Sequence, residues 1–544
     1  MKAIIVDKIN QAITALQQSH TWPSFVVPEF DVTNPPYRTQ GDYASNVAMQ
    51  LAKLVQRNPI EIGNDLASQL DMVGLDHVQV VSPGFLNIFV NDEFLAGGVR
   101  LILEQGDQYG RGKPKHKTIL AEFLSANPTG PLHLGNGRGG FTGDVIVRVL
   151  RANGYTVIAE YYINDFGNQV EVLAESVLRR YLQHQGIKVD YPDELYRGDY
   201  IIDLAKQVQL PDVQLGSQAA LAGLRDQIKD WALEKMTSQI KSFVEDTLQI
   251  HYDVWKSEKS LHTPANLERA MAFLRDHQLI YEQAGATWFA SSRFGDDKDR
   301  VIIKQDGSKT YFFSDILYLL DKFEDRNIDH WVWLLGADHH GFKGRMEAAL
   351  AAIGHRQQMD IIFVQLVRLM FNGKELRMSK RKGTFVTLQE LIEEIGLDVA
   401  RWFFLMYDSN THMDFDLNLA REQSDKNPVY YVQYAHARIC SLLQKVTDHT
   451  PASIQLTTAA EEDLAKKLFQ FPDVLAQIGE NYQVHKLPQY TLDVARAFHK
   501  FYSSHRIIQH DGSVERSRLQ LVQATQVVLR NALQLMGISA PEKM

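Results

Sequence analysis

The spacing of apolar and polar positions predicts an α+β unit at the start of the chain. A helical period opens the sequence and returns over 44–57, whereas strand-like runs follow over 77–81 and 84–90. Residues 107–117 are mostly polar and basic, which is typical of a linker. We therefore expect a first domain over about 1–110.

From residue 118 onwards, strands and helices alternate. The predicted segments are a strand at 118–121, a helix from His133 to about 153, a strand at 156–163 and a helix at 168–182. Strands that alternate with helices pair in parallel through right-handed crossovers. Open parallel sheets bind ligands at the carboxyl ends of their strands, so the segment after the first strand is a candidate site.

The alternation stops at about residue 185. We interpret 185–295 as a largely helical insertion, because it includes a long amphipathic stretch over 217–249. Strand-like runs return at 300–304, 331–335 and 361–364. Helical periodicity then dominates to the end, so we expect an α/β domain over 111–390 and an all-α domain over 391–544.

Composition narrows the class of protein. The 544 residues are too many for one hydrophobic core, and 45% hydrophobic with 23% charged residues is typical of a soluble globular protein. No apolar run is long enough to span a membrane, and Asp7 and Lys8 interrupt the apolar start, unlike a signal peptide. The single cysteine, Cys440, excludes internal disulfides and metal sites built from several cysteines, and it favours a cytoplasmic location.

The net charge of −9 argues only weakly against a nucleic-acid partner, because binding depends on where basic residues cluster. Basic runs occupy 111–117 and 374–382. Each run is either a solvated segment or a contact for phosphates, and charge runs usually need no function.

The segment from Glu122 to Gly139 joins a strand end, a loop rich in Asn, Pro, Thr and Gly, and a helix that begins at His133. A helix N-terminus offers free N–H groups and a positive dipole, and glycine lets a ligand approach the backbone, so this arrangement suits phosphates. The loop lacks the spacing of the common motifs G-x-x-x-x-G-K-[ST] and G-x-G-x-x-G. Instead, it places the donor His133 beside the expected phosphates.

A second loop, over 371–384, carries a cluster of cations. It begins with an Asn372-Gly373 pair that predicts a tight turn, and it then presents Arg377, Lys380 and two further basic residues. A mobile cationic loop can close over a polyphosphate and neutralise the charge that develops as pyrophosphate leaves.

Together, the two loops resemble the signature motifs of class I aminoacyl-tRNA synthetases. His133-Leu134-Gly135-Asn136 is similar to His-x-Gly-His, with Asn136 in place of the second histidine. Arg377-Met378-Ser379-Lys380-Arg381 is similar to Lys-Met-Ser-Lys-Ser. The resemblance implies that the α/β region is a Rossmann-like parallel-sheet catalytic domain with a helical insertion.

The resemblance narrows to the arginyl-tRNA synthetase family and covers essentially the whole chain. The similar segments are 125–133, 161–169, 414–416, 427–438 and 540–544. In that family an N-terminal domain meets the tRNA elbow and a helical C-terminal domain binds the anticodon. These assignments extend to 1–110 and 391–544, on either side of a catalytic domain at 111–390.

The predicted amino-acid site rests on chemistry and on the resemblance. A guanidinium is a permanent planar cation with five donors, which a carboxylate holds best. Tyr311 and Asp315 would share one side of a helix, although in isolation they are more typical of a core aromatic and a surface acid. The resemblance implies that they take the guanidinium and that Asn127 holds the α-amino end. It also implies arginine contacts at Glu122, Ser125, Ala126, Asn136 and His339.

The resemblance implies that ATP is a substrate, accompanied by Mg²⁺, with no protein-bound zinc. His133 and Lys380 are the expected stabilisers of the phosphates, and Asn136 completes the predicted catalytic set, although it could instead only cap the helix. The expected ATP contacts are His133, Gly135, Asn136, Gly336, Asp338, Arg377, Met378, Ser379 and Lys380. Asp338, His339 and His340 could alternatively bind a metal, but adjacent residues rarely converge on one ion.

The implied partners are tRNA(Arg) and L-arginine, and the expected state is a monomer. Tyr430, Tyr434 and Arg438 are aromatic and basic groups suited to stacking on unpaired bases. The i, i+4 spacing of the two tyrosines is equally consistent with a core position. Phe85 and Asn87 lie where the first domain would offer a ring and an amide to the tRNA.

Three alternatives are weighed against this interpretation. The cysteinyl enzyme selects its substrate with zinc held by several cysteines, which Cys440 alone cannot supply. A smaller adenylate-forming ligase would leave the helical region from 391 without a purpose. A non-catalytic tRNA-binding paralogue is disfavoured, because His133, Lys380, Asn127 and Asp315 are all present.

Overall fold

The structure is a computed structural model that describes residues 1–35, 37–209, 218–376, 387–447, 450 and 452–544, with the backbone alone at 38, 218–220 and 340. The first elements are α1 (Lys2–Gln18), β1 (Val32–Thr33), β2 (Tyr43–Ser45), α2 (Val47–Val55), α3 (Pro59–Gln69), β3 (Leu75–Val81), β4 (Phe85–Val90) and α4 (Asp92–Gln105). The strands form an antiparallel sheet in the order β1-β2-β4-β3, so this part is α+β. The helix predicted over 44–57 begins later, because β2 pairs with β4.

A parallel sheet lies at the centre of the chain, as the alternating pattern predicts. The elements here are β5 (Thr118–Glu122), α5 (Leu134–Ala152), β6 (Thr156–Ile163), α6 (Asn168–His184), α7 (Asp199–Gln207), α8 (Gln218–Ser242), β7 (Val254–Ser257), α9 (Pro264–Asp276), β8 (Ile280–Gln283), β9 (Ala286–Phe289), β10 (Arg300–Ile303), α10 (Tyr311–Leu320), β11 (His330–Gly336), α11 (Lys343–Ala352) and β12 (Met359–Val364). The strand order is β12-β11-β5-β6-β7, and each neighbouring pair is parallel. The carboxyl ends of β5, β6 and β11 therefore lie at one edge, where the first loop begins.

The insertion predicted over 185–295 contains the helices α7, α8 and α9, but it also contains the strands β7, β8 and β9. Residues of α7 and α8 pack with α6 in one apolar cluster. Beyond them, β7 joins the central sheet beside β6, and β8, β9 and β10 form a separate antiparallel sheet. The helical prediction is wrong for β7, β8 and β9, which are only four residues long each, and β7 is half-buried along its length and shows no period. The strand-like run predicted at 300–304 is confirmed as β10.

The last elements connect the sheet to a bundle of helices. They are β13 (Val367–Phe371), β14 (Lys374–Glu375), α12 (Leu388–Ile395), α13 (Leu397–Leu405), β15 (Met413–Asp416), α14 (Leu417–Arg421), α15 (Pro428–Leu443), α16 (Ala459–Phe469), α17 (Phe471–Asn481), α18 (Lys486–Ser504) and α19 (Arg516–Leu535). The predicted Asn372-Gly373 turn joins β13 to β14, with φ of 50° and 72° at its two residues. The helical prediction from 391 is wrong at β15, which pairs in parallel with β13 across the boundary expected at 390.

One apolar core extends from the central sheet into the C-terminal helices. Gly143 of α5 permits a close approach to the strand end, since a Cβ there would lie 2.1 Å from Cγ of Phe123. Tyr109, within the predicted linker, is buried and stacks on Phe471 with 6.1 Å between ring centroids. The packing fixes α5 so that its N-terminus lies at the carboxyl edge of the sheet. Of the helices in the described segments, none combines the length and apolarity needed to cross a bilayer.

Candidate active site

The first loop leads from β5 to the N-terminus of α5. Leu124 and Ser125 have positive φ values of 68° and 36°, so the chain turns sharply as it leaves the strand. The helix then begins after His133, whose backbone N–H donates to Oδ1 of Asn136 over 2.9 Å. Asn136 therefore caps the helix, which is one of the two possibilities that the sequence leaves open. Gly135 lies against the imidazole, because a Cβ there would be 3.0 Å from Cε1 of His133.

Strand β6 holds the early part of this loop. The backbone N–H of Tyr162 donates to Oγ of Ser125 over 3.1 Å, and the hydroxyl of Tyr161 donates to the carbonyl of Ala126 over 2.9 Å. Asn127 follows them and is exposed. The structure thus brings three of the predicted arginine contacts to the carboxyl edge of the sheet, with the backbone fixed and the Asn127 side chain accessible.

The second loop returns to the first at its described end. Residues 387 and 388 approach the histidine motif: Thr387 forms an antiparallel bridge with His133, and the N–H of Leu388 donates to the carbonyl of Leu132 over 3.0 Å. Arg377, Met378, Ser379 and Lys380 lie outside the described residues. The two flanks of the cationic segment are therefore the hairpin of β13 and β14 on one side and a direct contact with the His133 motif on the other.

Helix α10 presents the two residues predicted to bind a guanidinium. Tyr311, at its first turn, is 77% exposed. Asp315, one turn later, has 21% of its side chain exposed, and Oδ2 lies 3.1 Å from Nη2 of Arg345 on α11. Burial raises the pKa of Asp315 to about 6, while Arg345 opposes the rise and the nearby Glu258 adds to it.

Glu258 is a functional candidate that the sequence interpretation missed. It follows β7 directly, and only 14% of its side chain is exposed. Its charge acts on both Asp315 and Tyr162, raising the pKa of each, so two carboxylates face one region of the site. The signal for it was the strand β7, which places position 258 at the same edge of the sheet as the ends of β5 and β6.

Glu122 lies in a buried ionic network beneath the site. Its carboxylate is 3% exposed and lies 2.6 Å from the Tyr318 hydroxyl and 3.2 Å from Nζ of Lys322. Nζ of Lys322 is also 2.5 Å from Glu160, the register partner of Glu122 on β6. Arg326 forms a second ion pair with Glu160. The Glu122 side chain, which is predicted to contact arginine, therefore lies in the buried network and not in the open loop.

The network shifts the pKa values of Glu122 and Glu160 in opposite directions. Burial raises the pKa of Glu122, with Lys322 acting against the rise and Glu160 adding to it. Burial acts on Glu160 in the same direction, but Lys322 and Arg326 outweigh it and lower its pKa to about 2. Glu160 is consequently the permanent anion of the network.

The loop after β11 carries the remaining predicted contacts. Asp338 and His339 are both exposed, and Nε2 of His339 lies 3.8 Å from Oδ2 of Asp338. The His339 ring packs edge-on against Phe342, with 5.4 Å between the ring centroids. The Asp338 carboxylate folds back over Gly336, where an added Cβ would lie 2.6 Å from Oδ1 of this exposed side chain. Within the described residues, no group of three or more His, Cys, Asp or Glu side chains has the arrangement of a metal site; the side chain of His340 lies outside this description.

Two groups of predicted tRNA contacts lie away from the sheet. Tyr430, Tyr434 and Arg438 follow one face of α15; Tyr434 is 49% exposed, and the Arg438 guanidinium lies 5.8 Å from its ring centroid. In the first domain Phe85 is 38% exposed, whereas Asn87 is buried within β4. The structure therefore offers the ring of Phe85 to a partner, but it does not expose the amide of Asn87.

This parallel sheet, with its converging loops, has the architecture of a class I aminoacyl-tRNA synthetase. The family model described as "tRNA synthetases class I (R), catalytic domain" matches residues 98–424. The models described as "Arginyl tRNA synthetase N terminal domain" and "DALR anticodon binding domain" match residues 3–90 and 432–544.

Comparison with individual proteins gives the family. The chain is 41% identical to the arginine–tRNA ligase of Bacillus velezensis and 40% identical to that of Bacillus subtilis, in each case over 100% of this chain and 99% of the relative. The structure of Thermus thermophilus arginyl-tRNA synthetase has the same fold, with a TM-score of 0.80, 22% identity and 100% coverage of both chains. The chain belongs to the arginyl-tRNA synthetase family.

Proposed function

We propose that this protein attaches L-arginine to tRNA(Arg) in two steps at the edge of the central sheet. In the first step, an oxygen of arginine's carboxylate bonds to the α-phosphorus of ATP, and the bond to the β-phosphate oxygen breaks, which releases pyrophosphate. In the second step, the 2′-hydroxyl of the terminal adenosine attacks the arginyl carbonyl, and AMP leaves. The bridge between His133 and Thr387 carries the proposal, because it joins the flank of the cationic segment to the helix end that suits phosphates.

The arginine pocket is built from carboxylates on two elements. Asp315 on α10 and Glu258 after β7 attract the guanidinium, and Tyr311 is exposed at the helix start to cover it. Ser125, Ala126 and Asn127 receive the α-amino end. Asn136 and His339 line the same edge of the sheet, while Glu122 supports the pocket from the buried network.

The nucleotide lies over the N-terminus of α5 and the loop after β11. His133, Gly135 and Asn136 meet the phosphates, Gly336 and Asp338 meet the adenosine, and the segment Arg377–Met378–Ser379–Lys380 closes on the phosphates. No side chain needs to form a covalent intermediate, so positioning and charge stabilisation account for catalysis. Mg²⁺ enters with ATP, without a dedicated protein cage or a protein-bound zinc.

The tRNA meets the protein at three places. Its 3′ end reaches the sheet edge, the exposed ring of Phe85 stacks on the elbow, and the face of α15 with Tyr430, Tyr434 and Arg438 receives anticodon bases. The buried Asn87 supports the strand that presents Phe85. The protein acts as a monomer in the cytoplasm, and size-exclusion chromatography with light scattering measures the oligomeric state.

Pyrophosphate exchange tests the proposed reaction. The purified protein is incubated with ATP, labelled pyrophosphate and each amino acid in turn, with and without tRNA. Exchange that depends on arginine, with or without a requirement for tRNA, is the expected result. Exchange with a different amino acid, or no exchange with arginine plus tRNA, would refute the proposal.

Asp315→Ala tests the assignment of the pocket. Loss of a buried charged partner costs about 2–5 kcal/mol, so the KM for arginine should rise roughly 30-fold or more while the KM for ATP changes little. Asp276→Ala, at an exposed aspartate that ends α9, is the matched control and should leave both constants unchanged. Equal increases in the two KM values would contradict the role given to Asp315.

A further inference from the structure

Arg345 occupies an unusual position for a cation, because it lies against the pocket that is proposed to bind another cation. Its Nη2 lies 3.1 Å from Oδ2 of Asp315, and only 21% of each side chain is exposed. The guanidinium lies over the Phe342 ring, with 3.6 Å from its central carbon to the ring centroid. Stacking and ion pairing together fix the guanidinium plane.

The contact uses only one oxygen of the Asp315 carboxylate. Arg345 binds Oδ2 through a single nitrogen rather than through the two-nitrogen fork that guanidinium groups favour. Among the described residues, no hydrogen bond reaches Oδ1 of Asp315. A second guanidinium can therefore bind the same carboxylate without displacing Arg345.

The charges of the pocket are incomplete by one cation. Asp315 interacts electrostatically with Arg345 from α11, Glu258 after β7 and Tyr162 on β6. Glu258 also lies 3.9 Å from Nε2 of His262. Burial raises the pKa of Tyr162, so the hydroxyl is neutral at physiological pH. Two carboxylates with one internal arginine, and His262 counted as neutral, leave a formal charge of −1, which the guanidinium of a substrate would neutralise.

We propose that Arg345 is a positioning residue for arginine recognition, which holds Asp315 as an oriented carboxylate through Oδ2 and leaves Oδ1 for the substrate guanidinium. This role rests on the proposed function, and Arg345 acts through Asp315 without touching the substrate itself. Arg345 also connects this pocket to the nucleotide loop, because Phe342 lies between its guanidinium and His339.

Removal of Arg345 has a consequence that depends on pH. A neighbouring cation lowers the pKa of a carboxyl group by about 1–3 units, so Asp315 without Arg345 would take up a proton in the neutral range. Protonated Asp315 cannot pair with a guanidinium, so arginine binding weakens as pH falls through the raised pKa. At higher pH the carboxylate forms again and the pocket regains its charge.

The experiment measures the KM for arginine by pyrophosphate exchange with saturating ATP and tRNA at pH 6.5, 7.5 and 8.5. For Arg345→Gln, a pKa rise of one to two units predicts a KM about 4-fold to 25-fold higher at pH 6.5 than at pH 8.5. The wild type should change by less than about twofold, because its Asp315 pKa is already about 6. The kcat and the KM for ATP should follow the wild-type profiles.

Three further variants make the result decisive. Arg345→Met keeps the apolar stem beside Phe342 and should behave like the Gln variant, so the experiment does not depend on the folding of one protein. Arg345→Lys retains a cation and should keep the wild-type pH profile. Lys343→Gln removes an exposed cation from the same helix, where it pairs with Glu347 at 3.8 Å, and should also leave the profile unchanged.

The outcomes distinguish this inference from the proposed function. A KM that rises equally at all three pH values in both neutral variants, or that does not rise at all, would overturn the positioning role. The same shift in Arg345→Lys or Lys343→Gln would overturn it as well. Failure of the wild type to exchange with arginine would instead refute the proposed function and leave no arginine KM to compare.

Discussion

Lys322 connects the buried network to the helix that carries Asp315, and its replacement by methionine tests how the network works. The residue lies in the π-helical turn Asp321–Asp325 that follows α10, with no exposed surface. Its Nζ contacts Glu160 at 2.5 Å and Glu122 at 3.2 Å, and it lies 4.6 Å from the Trp331 ring. Methionine has a similar volume, so the change removes the charge and leaves little cavity.

The expected loss of stability follows from the partners that remain. Removal of one member of a buried ion pair costs about 3–5 kcal/mol, because the other charge is left uncompensated. Glu160 retains Arg326, whereas the partner that Glu122 retains among the described residues is the Tyr318 hydroxyl, which it shares with Glu160. Glu122 can reduce the cost by binding a proton, so we expect about 3 kcal/mol at pH 8 and less at pH 5.

The pH dependence has a definite sign. The folded-state pKa of Glu122 is raised, so its protonated form stabilises the fold below the unfolded-state pKa, and this contribution is lost as pH rises through the folded value. Removal of Lys322 raises the folded pKa further, and the deficit of the variant must grow from pH 5 to pH 8. Glu160 behaves in the opposite way: its pKa of about 2 makes it stabilising at both values.

Urea unfolding followed by tryptophan fluorescence measures this effect, with Trp331 as a reporter next to the substitution. Lys206→Met is the matched control, because Lys206 is 55% exposed and pairs with exposed Asp203 at 3.3 Å. Exposed pairs contribute about 0–1 kcal/mol, so the control should unfold almost as the wild type does at both pH values. A Lys322→Met protein with wild-type stability at pH 8, or with equal deficits at pH 5 and 8, would refute this account of the network.

Three shorter predictions concern the helix α5 and the tRNA surface. Asn136→Ala removes one of the two hydrogen bonds of the capping box with His133, which should cost about 1 kcal/mol of stability and lower kcat for exchange more than it changes either KM. Arg438→Ala should weaken tRNA binding and reduce the slope of log Kd against log salt by roughly 0.7–0.9, with the KM for arginine unchanged. Gly143→Ala should destabilise the protein by about 1–3 kcal/mol through its clash with Phe123, whereas Gly139→Ala, with open space around the added Cβ, should not, as melting curves of the two variants will show.

The sequence predicts the strands whose patterning is local and strong. Both bounds of β6 agree with its prediction, because a run rich in β-branched and aromatic residues lies between the turn residue Gly154 and the polar pair Asn164-Asp165. The sequence pattern does not predict the edge strand β7, because it is four residues long and half-buried. Its parallel pairing with β6 defines it as a strand. The pattern does not predict β15 either, because this short strand is defined by its pairing with β13, which is distant in sequence.

In the candidate site, too, local sequence predicts some residues, whereas others are placed by contacts between segments that are distant in sequence. Asp315 was predicted from its spacing to Tyr311 and from the family resemblance, but Glu258 was missed together with the strand that places it. Glu122 was predicted as a direct contact because it leads into the loop, whereas the structure pairs it with Lys322 in the interior. One signal for the network was available: a lysine follows the strongly apolar helix α10, where a buried charge needs a partner.

The two ends of α10 explain how a pocket for a cation can coexist with so many internal cations. At the C-terminal end, three acids are matched by three bases: Glu122, Glu160 and Asp321 with Lys256, Lys322 and Arg326. At the N-terminal end, Arg345 is the one arginine or lysine among the described residues that pairs with Asp315 or Glu258, and His262, 3.9 Å from Glu258, is counted as neutral. Because the buried end is neutral in formal charge, it anchors the helix without adding to the attraction for substrate. The one uncompensated charge lies where the substrate guanidinium is proposed to bind, so the electrostatic selection for a cation belongs to the pocket end of the helix.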